Sequence, residues 1–134
     1  MDCIFCSDKI AGQVVCGDEL AFCVANIEPL KDGHVMILPR RHVTRLAELT
    51  ADEAKAVTQL TDQLVDAVEK LTGEAPCIHI NHGHHKSQPH LHVHVVPSKG
   101  SLRDHFVAHE GVPNRVRQTP EYTKLVIEEL NACL

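Results

Sequence analysis

The chain has 134 residues, a net charge of -5 and no tryptophan, and aromatic residues make up only 3% of it. This length is enough for a single domain, whose core must be built from Val, Ile, Leu and Ala. The acidic balance argues against nucleic acid as a partner, because nucleic-acid binding calls for a basic patch.

The first residues, Met1 to Cys6, contain neither a basic region nor an apolar run, so we expect no secretion signal. No stretch of about 18 apolar residues occurs, so no membrane span is expected either. A cytoplasmic location is the default for such a sequence. In that compartment the six cysteines favour free thiols or metal ligation over disulfides.

The first motif in chain order is Cys3-Ile4-Phe5-Cys6, a Cys-x-x-Cys pair. A redox role needs such a pair between a strand and a helix, and no strand precedes residue 3. A structural zinc site needs two further ligands far along the chain. The third alternative is a pair of small buried apolar residues. Spacing alone leaves these alternatives open.

Three short strands come next, over 13–16, 20–25 and 34–38. The first two flank the Gly17-Asp18 turn, and a loop with Pro29 and Gly33 precedes the third. Pro39 ends the third strand because proline cannot donate to a β-ladder.

The clearest helix lies within 46–73. Thr50 and Glu53 form the pattern of a capping box, and Gly73 is suited to the C-cap. One face carries apolar residues at helical spacing: Val57, Leu60, Leu64, Val68 and Leu71. We assign no chemistry to this helix.

A strand is predicted over 76–81, a polar loop over 82–88, and a second strand over 90–97. After Pro97 the pattern is irregular until Thr119 and Pro120, which begin a final helix. Strands on both sides of one central helix predict an α+β fold, with a mostly antiparallel sheet, one long central helix and a C-terminal helix. We expect a single domain over 1–134, with its core in 3–97 and a tail and helix in 98–134.

The strand over 90–97 carries the most informative pattern. Because side chains of a strand alternate between its faces, His90, His92 and His94 share one face and Leu91, Val93 and Val95 the other. Strand propensity does not favour three histidines, although a solvated strand face is the structural alternative. Such a row serves metal ligation or nucleophilic and acid–base catalysis.

The segment Pro-His-Leu-His-Val-His-Val-Val, residues 89–96, resembles the signature of the histidine triad (HIT) family. The earlier segment from Gly33 to His42 resembles the family's Gly-His, strand, Pro-x-x-His segment, and Asn26-Ile27-x-Pro29 resembles the residues before that strand. The matches cover residues 3–97. The resemblance implies a HIT-like fold.

The resemblance also implies an enzyme, a nucleotidyl hydrolase or transferase closest to the bacterial-type dinucleoside-polyphosphate hydrolases. In it, His92 is the nucleophile that attacks the α-phosphate and forms a nucleotidyl-histidine, and His94 assists at the phosphate. The implied substrate-binding residues are Phe5, Asn26, Ile27, Asn81, Ser87 and Gln88.

Some bacterial-type family members bind structural zinc with residues that correspond to Cys3, Cys6, His42 and His90. The resemblance therefore favours zinc over the other roles of the Cys pair. It also implies a homodimer. The tail over 98–118 and the histidines at 84, 85, 105 and 109 receive no role from it.

Three alternatives remain beside the leading hypothesis. One is a nucleotide-binding regulatory module without turnover, and another is a nucleoside phosphoramidate hydrolase. The third is a metal-handling protein, since nine of the eleven histidines lie between 79 and 109.

Overall fold

The computed structural model describes residues 3–83 and 88–134. The chain divides into two compact units, of which the first ends at Lys99 and the second spans Gly100–Leu134. The expectation of a single domain stays a prediction.

A five-stranded sheet forms the centre of the first unit, in the order β1-β2-β3-β5-β4, and every neighbouring pair is antiparallel. The strands are β1 Val14–Gly17, β2 Ala21–Ala25, β3 Val35–Pro39, β4 Pro76–His79 and β5 Val93–Pro97. This arrangement confirms the predicted α+β class with an antiparallel sheet.

The central helix, α1, spans Ala51–Thr72, and both of its ends follow the sequence signals. The Thr50 side chain accepts a hydrogen bond from the Glu53 amide, and the Glu53 carboxylate accepts one from the Thr50 amide. Gly73 takes the left-handed conformation, with φ 75°, that closes a helix C-terminus. The predicted capping box and C-cap are therefore confirmed.

The two faces of the sheet bury different clusters. On one face α1 covers a core that the strands build with Ala21, Cys23, Val35, Ile37, Val93 and Val95. The other face carries Phe22, Val24, Met36 and Leu38, which pack with residues of the N-terminal segment, Ile4, Phe5 and Ile10. Because His94 is paired with Met36 across β3 and β5, its side chain lies on this second face.

Strand β5 is shorter than predicted, since it begins at Val93 rather than at His90. The last β3–β5 pair is Ile37 with Val93, and the next residues of β3 lead to Pro39, which has no amide proton to continue the ladder. The Leu91 amide instead donates to the Val43 carbonyl at 2.7 Å. The first two histidines of the row therefore lie in the segment that leads into the strand.

The second unit contains two helices, α2 Leu102–Glu110 and α3 Pro120–Cys133. Helix α3 begins at the predicted Thr119 cap, whereas α2 was missed by the sequence analysis. A capping box between Ser101 and Asp104 begins α2, and this pair was the sequence signal that could have predicted the helix. Among the described residues, no helix combines the length and apolar character that a membrane crossing needs.

Candidate active site and metal centre

Four predicted metal ligands come together at one end of the sheet. Their ligand atoms, from Cys3, Cys6, His42 and His90, all lie within 4.8 Å of one another. His90 Nδ1 lies 3.5 Å from the Cys3 sulfur and 3.4 Å from the Cys6 sulfur, and His42 Nδ1 lies 3.6 Å from the Cys6 sulfur. A tetrahedral zinc ion imposes an S···N separation of about 3.6 Å, so this donor set fits one metal ion.

The second nitrogen of the His90 ring is also engaged. Nε2 lies 2.8 Å from the Pro39 carbonyl oxygen, and it must be the donor because a carbonyl only accepts. A neutral ring then has its lone pair on Nδ1, the atom that faces the two thiols. Metal-bound histidines commonly make this backbone hydrogen bond, which fixes their tautomer.

The local chain positions the four ligands. A 3₁₀ turn, Ile4–Cys6, brings the two cysteines to the same side. His42 follows Arg41, whose Nε and Nη2 atoms donate to the Glu53 carboxylate in the first turn of α1, the closest contact being 2.9 Å. This ion pair ties the His42 segment to the helix.

A cleft of about 400 Å³ opens beside this cysteine–histidine cluster on the second face of the sheet. Apolar and polar side chains from the N-terminal segment, the loop before β3, and the histidine row line it: Ile4, Phe5, Ile10, Gln13, Asn26, Ile27, Glu28, Leu30, His34, Met36, Gln88, His92 and His94.

His92 is almost fully buried, at 4% exposure, yet it lines this cleft. Its Nδ1 lies 2.8 Å from the His90 carbonyl oxygen and therefore carries the ring proton. In the neutral ring Nε2 then has the lone pair, and this is the form of imidazole that acts as a nucleophile or base. The Phe5 ring packs against His92 at a centroid distance of 5.7 Å and restricts its rotation.

His94 packs edge-on against His92, with ring centroids 4.8 Å apart. Burial, followed in order of effect by the neighbouring His92, His34 and His79, lowers the pKa of His94 to about 4. The His94 side chain is therefore neutral near pH 7. Its Nδ1 lies 2.9 Å from Nε2 of His34, a histidine outside the row.

Four of the six predicted substrate-binding residues line the cleft: Phe5, Asn26, Ile27 and Gln88. Asn81 instead lines a separate cavity of about 370 Å³ and lies 2.8 Å, through Oδ1, from His79 Nε2. Ser87 lies outside the described residues, as do His84 and His85. The roles of all six residues remain predictions.

Sequence reasoning gave no role to three polar residues of the cleft: Gln13, Glu28 and His34. His34 had a signal, since it follows Gly33 within the matched Gly-His segment. Gln13 and Glu28 had none, because only the packing of the N-terminal turn Asp8–Gln13 and of the loop before β3 brings them to the cleft.

Comparison with known proteins gives the family. A family profile described as the HIT domain matches residues 7–101, which include the histidine row and the loop before β3. The chain belongs to the HIT family. The sequence-based recognition is thereby confirmed.

Among HIT relatives, a bis(5'-nucleosyl)-tetraphosphatase (asymmetrical) of Schizosaccharomyces pombe is 32% identical over 98 residues, which make up 71% of this chain and 54% of that protein. An uncharacterized HIT-like protein of Methanocaldococcus jannaschii is 30% identical over 100 residues, 71% of this chain and 78% of that protein. The chain spans about half the length of several curated relatives that it matches.

Solved structures share the HIT fold. A HIT family protein from Bacillus subtilis superposes with a TM-score of 0.74 at 22% identity, and the match covers 100% of this chain and 98% of that one. At this identity the likeness establishes the fold.

Proposed function

We propose that this HIT protein is a hydrolase or transferase that acts on the α-phosphate of nucleotides or dinucleoside polyphosphates through a covalent nucleotidyl-His92 intermediate. The observation that carries the proposal is the pairing of His92 Nδ1 with the His90 carbonyl at 2.8 Å in a residue that lines an open cleft. That pairing leaves a lone pair on Nε2. The S. pombe relative, named as a tetraphosphatase, supports the substrate class.

The first chemical step forms one bond and breaks one. The Nε2 lone pair of His92 attacks the α-phosphorus, and the bond from that phosphorus to the bridging oxygen breaks, so its electron pair leaves with the departing phosphate. Water then attacks the same phosphorus and releases a proton to the solvent, the N–P bond breaks, and its electron pair restores the histidine lone pair. Splitting the displacement in two lowers each barrier.

The cleft side chains around His92 are suited to bind the phosphate, the ribose and the base of a nucleotide. His94 adjoins His92 and is suited to donate a hydrogen bond to a phosphate oxygen, whose negative charge such donors stabilise. Phe5 and Ile27 offer apolar surface for a base, and Asn26 offers a polar group for the ribose hydroxyls. Gln88, two residues before the row, is the predicted contact of the phosphates.

We further propose that Cys3, Cys6, His42 and His90 hold a structural zinc ion. The 3.4–3.6 Å separations between sulfur and nitrogen atoms and the fixed His90 tautomer support this assignment. Zinc would hold the turn Ile4–Cys6 against the histidine row, and this turn contains the cleft residues Ile4 and Phe5. The metal therefore supports the cleft rather than taking part in the reaction.

A His92→Ala variant and a rapid-quench mass spectrum test the proposal. The protein is mixed with a diadenosine polyphosphate, quenched within the first turnover, and analysed intact for an acid-labile adenylyl adduct. We expect the adduct on His92 in the wild type, its loss in His92→Ala, and its retention in His109→Ala, a control on the exposed helix α2. Turnover without any adduct would overturn the covalent mechanism.

The same variants separate an enzyme from a binding module. If the protein is an enzyme, His92→Ala abolishes turnover and retains nucleotide binding by calorimetry. If the wild type binds nucleotide without hydrolysing dinucleoside polyphosphates, phosphoramidates or adenylyl sulfate, the regulatory-module alternative replaces the enzyme. A stoichiometry of several weakly held metal ions per chain would favour the metal-handling alternative.

We also propose that the protein forms a homodimer. Strand β4 lies at the sheet edge, and Ile78 on it is 56% exposed, an arrangement that favours pairing with a second chain. Light scattering coupled to size exclusion is expected to give twice the chain mass. Ile78→Lys is expected to shift that mass towards the monomer, whereas Leu20→Lys, at another exposed position that precedes β2, is not.

A further inference from the structure

His42 differs from His90 in how the chain holds it within the cysteine–histidine cluster. His90 is fully buried, and its own ring is fixed by the Pro39 carbonyl. His42 is exposed and lies in the connection between β3 and α1. Within the described part of the chain, its Nε2 atom has no hydrogen-bond partner. The orientation of this ligand therefore depends on the residues beside it.

Arg41, the residue before His42, is held by a buried carboxylate. The Glu53 side chain is 7% exposed, and it accepts hydrogen bonds from Arg41 Nε at 3.2 Å and from Nη2 at 2.9 Å. The same Nη2 atom also donates to the Glu48 carbonyl at 2.7 Å. Because the guanidinium group is planar, these contacts fix both its position and its orientation.

The residue after His42 is anchored as well. Val43 is fully buried, and its carbonyl accepts a hydrogen bond from the Leu91 amide at 2.7 Å. Leu91 follows His90, so this bond ties the His42 segment to that of a second ligand. The His42 ring thus lies between two fixed residues, with its Nδ1 3.6 Å from the Cys6 sulfur.

Glu53 holds Arg41 and the first turn of α1 at the same time. Its carboxylate accepts a hydrogen bond from the Thr50 amide at 3.3 Å, and its own amide donates to the Thr50 hydroxyl at 3.2 Å. The capped N-terminus of a 22-residue helix is therefore the support on which Arg41 is fixed. A ligand on such a support loses little conformational freedom when it binds a metal ion.

We propose that Arg41 and Glu53 are positioning residues that hold His42 in place for zinc, so that the N-terminus of α1 determines how long the protein retains its metal. The proposed zinc site is the basis of this assignment, which adds to it two residues that are not ligands. The two cysteines and the buried histidine supply three ligands, and the exposed histidine is the fourth. Without the ion pair, this fourth ligand leaves the metal more often and admits water in its place.

Charge and position make opposite predictions for the removal of Arg41. A cation beside a divalent metal ion repels it, so charge alone predicts that zinc is released more slowly once the cation is gone. Loss of a positioning contact predicts faster release instead, since changes to such supporting contacts typically lower metal affinity by about 10- to 100-fold. The direction of the change therefore distinguishes the two effects.

Zinc transfer to a chelator measures this direction. The zinc-loaded, full-length protein is mixed with an excess of a chromogenic chelator, and the release rate is followed by absorbance at neutral pH. We expect Arg41→Gln to release zinc roughly 10- to 100-fold faster than the wild type. Arg41→Lys is expected to release it faster as well, because lysine keeps the charge and loses the paired donors. An equal or slower rate in Arg41→Gln would overturn the proposal.

A second ion pair of the first unit provides the matched control. Lys31 pairs with Glu74, which is 23% exposed and lies beyond the C-terminal end of α1, whereas Glu53 lies in its first turn. Lys31→Gln also removes a partly buried ion pair, yet it is expected to leave the zinc release rate unchanged. Equal acceleration in Lys31→Gln and Arg41→Gln would indicate a general loss of stability and would refute the positioning role.

A double variant keeps the proposal falsifiable where Arg41→Gln fails to fold. Arg41→Gln alone leaves a buried carboxylate without its partner, which destabilises the fold. The double variant Arg41→Gln/Glu53→Gln removes both charges, and the amide oxygen at position 53 still accepts from Thr50. We expect it to approach wild-type stability in urea and to release zinc as fast as Arg41→Gln. A stable double variant with the wild-type release rate would refute the proposal.

The zinc content of the purified wild type separates this inference from the proposed function. A wild type without zinc would refute the metal site and the positioning role together. About one zinc ion per chain, with the same release rate in the wild type and in Arg41→Gln, would refute the positioning role alone.

Discussion

His90 Nε2 lies 2.8 Å from the Pro39 carbonyl oxygen, and the other nitrogen of the same ring lies 3.4 Å from the Cys6 sulfur. One fully buried imidazole thus joins the end of β3 to the N-terminal Cys pair. The hydrogen bond to Pro39 assigns the ring proton to Nε2, which leaves Nδ1 as a ligand atom. Both ring nitrogens of the first histidine of the row are therefore engaged in structural contacts. The second and third histidines line the cleft.

This geometry predicts how metal content depends on one thiol. Cys6→Ser replaces a thiolate by a hydroxyl, a poor zinc ligand, and we expect the purified protein to fall from about one zinc ion per chain to well below one. Cys16→Ser is the matched control, because Cys16 is also exposed and lies on β1 away from the cluster. The measurement is metal analysis by plasma mass spectrometry. Equal zinc in the two variants would contradict the assignment.

Acid is expected to destabilise the fold through His94. Its pKa is about 4 in the folded chain and about 6.5 when unfolded, so between these values the unfolded chain binds a proton that the folded chain does not. The free energy of unfolding therefore falls as pH decreases through this window, and this contribution is fully present above pH 6.5.

Urea unfolding at a series of pH values, in the wild type and in His94→Gln, measures this effect. The variant is expected to lose part of the pH dependence, because Gln does not titrate. His109→Gln on α2 serves as the control and is expected to keep the wild-type slope. Protonation of the metal ligands affects all three proteins alike, so parallel slopes in wild type and His94→Gln would refute the prediction.

The position of His42 predicts which leaving group the protein prefers. If His42 binds zinc, it cannot also donate a proton to a departing amine, whereas a polyphosphate departs without one. We expect a larger kcat/KM for diadenosine polyphosphates than for adenosine phosphoramidates of basic amines, measured side by side by chromatography of the released nucleotide. The reverse order would indicate a proton donor other than the four ligand residues.

Gly33 is expected to be intolerant of a side chain. It has φ 90°, and an added Cβ would lie 2.8 Å from Cγ2 of Thr72 at the end of α1. Gly33→Ala should lower the free energy of unfolding by about 1–3 kcal/mol, because it combines backbone strain with this close contact. Chemical denaturation measures the change.

Two further variants make the Gly33 test specific. Gly12→Ala is the control, since nothing lies within 4 Å of an added Cβ there and no positive φ is involved, so its stability should stay near that of the wild type. Combining Gly33→Ala with Thr72→Ser removes the clashing methyl group and should recover part of the loss. A Gly33→Ala variant as stable as Gly12→Ala would contradict the argument.

Local patterns in the sequence predicted most of the elements of the first unit. The capping box of Thr50 and Glu53, the Gly73 C-cap and the Pro39 strand end are each satisfied by residues within a few positions. Helix α2 was not predicted although Ser101 and Asp104 carry the same kind of signal, because its residues lack a clear apolar periodicity. The row His90–His94 was placed in one strand, and only its last histidine belongs to β5.

The sequence by itself determined the candidate residues for the proposed chemistry, because histidine and cysteine spacing and the HIT motif are properties of the chain order. Only the tertiary structure decided what each histidine ring does. The tautomers of His90, His92 and His94 depend on the Pro39 carbonyl, the His90 carbonyl and the His34 ring. The Pro39 and His34 partners lie 51 and 60 residues away along the chain. Such long-range hydrogen bonds form only when the strands pair, so no local pattern of the sequence encodes them.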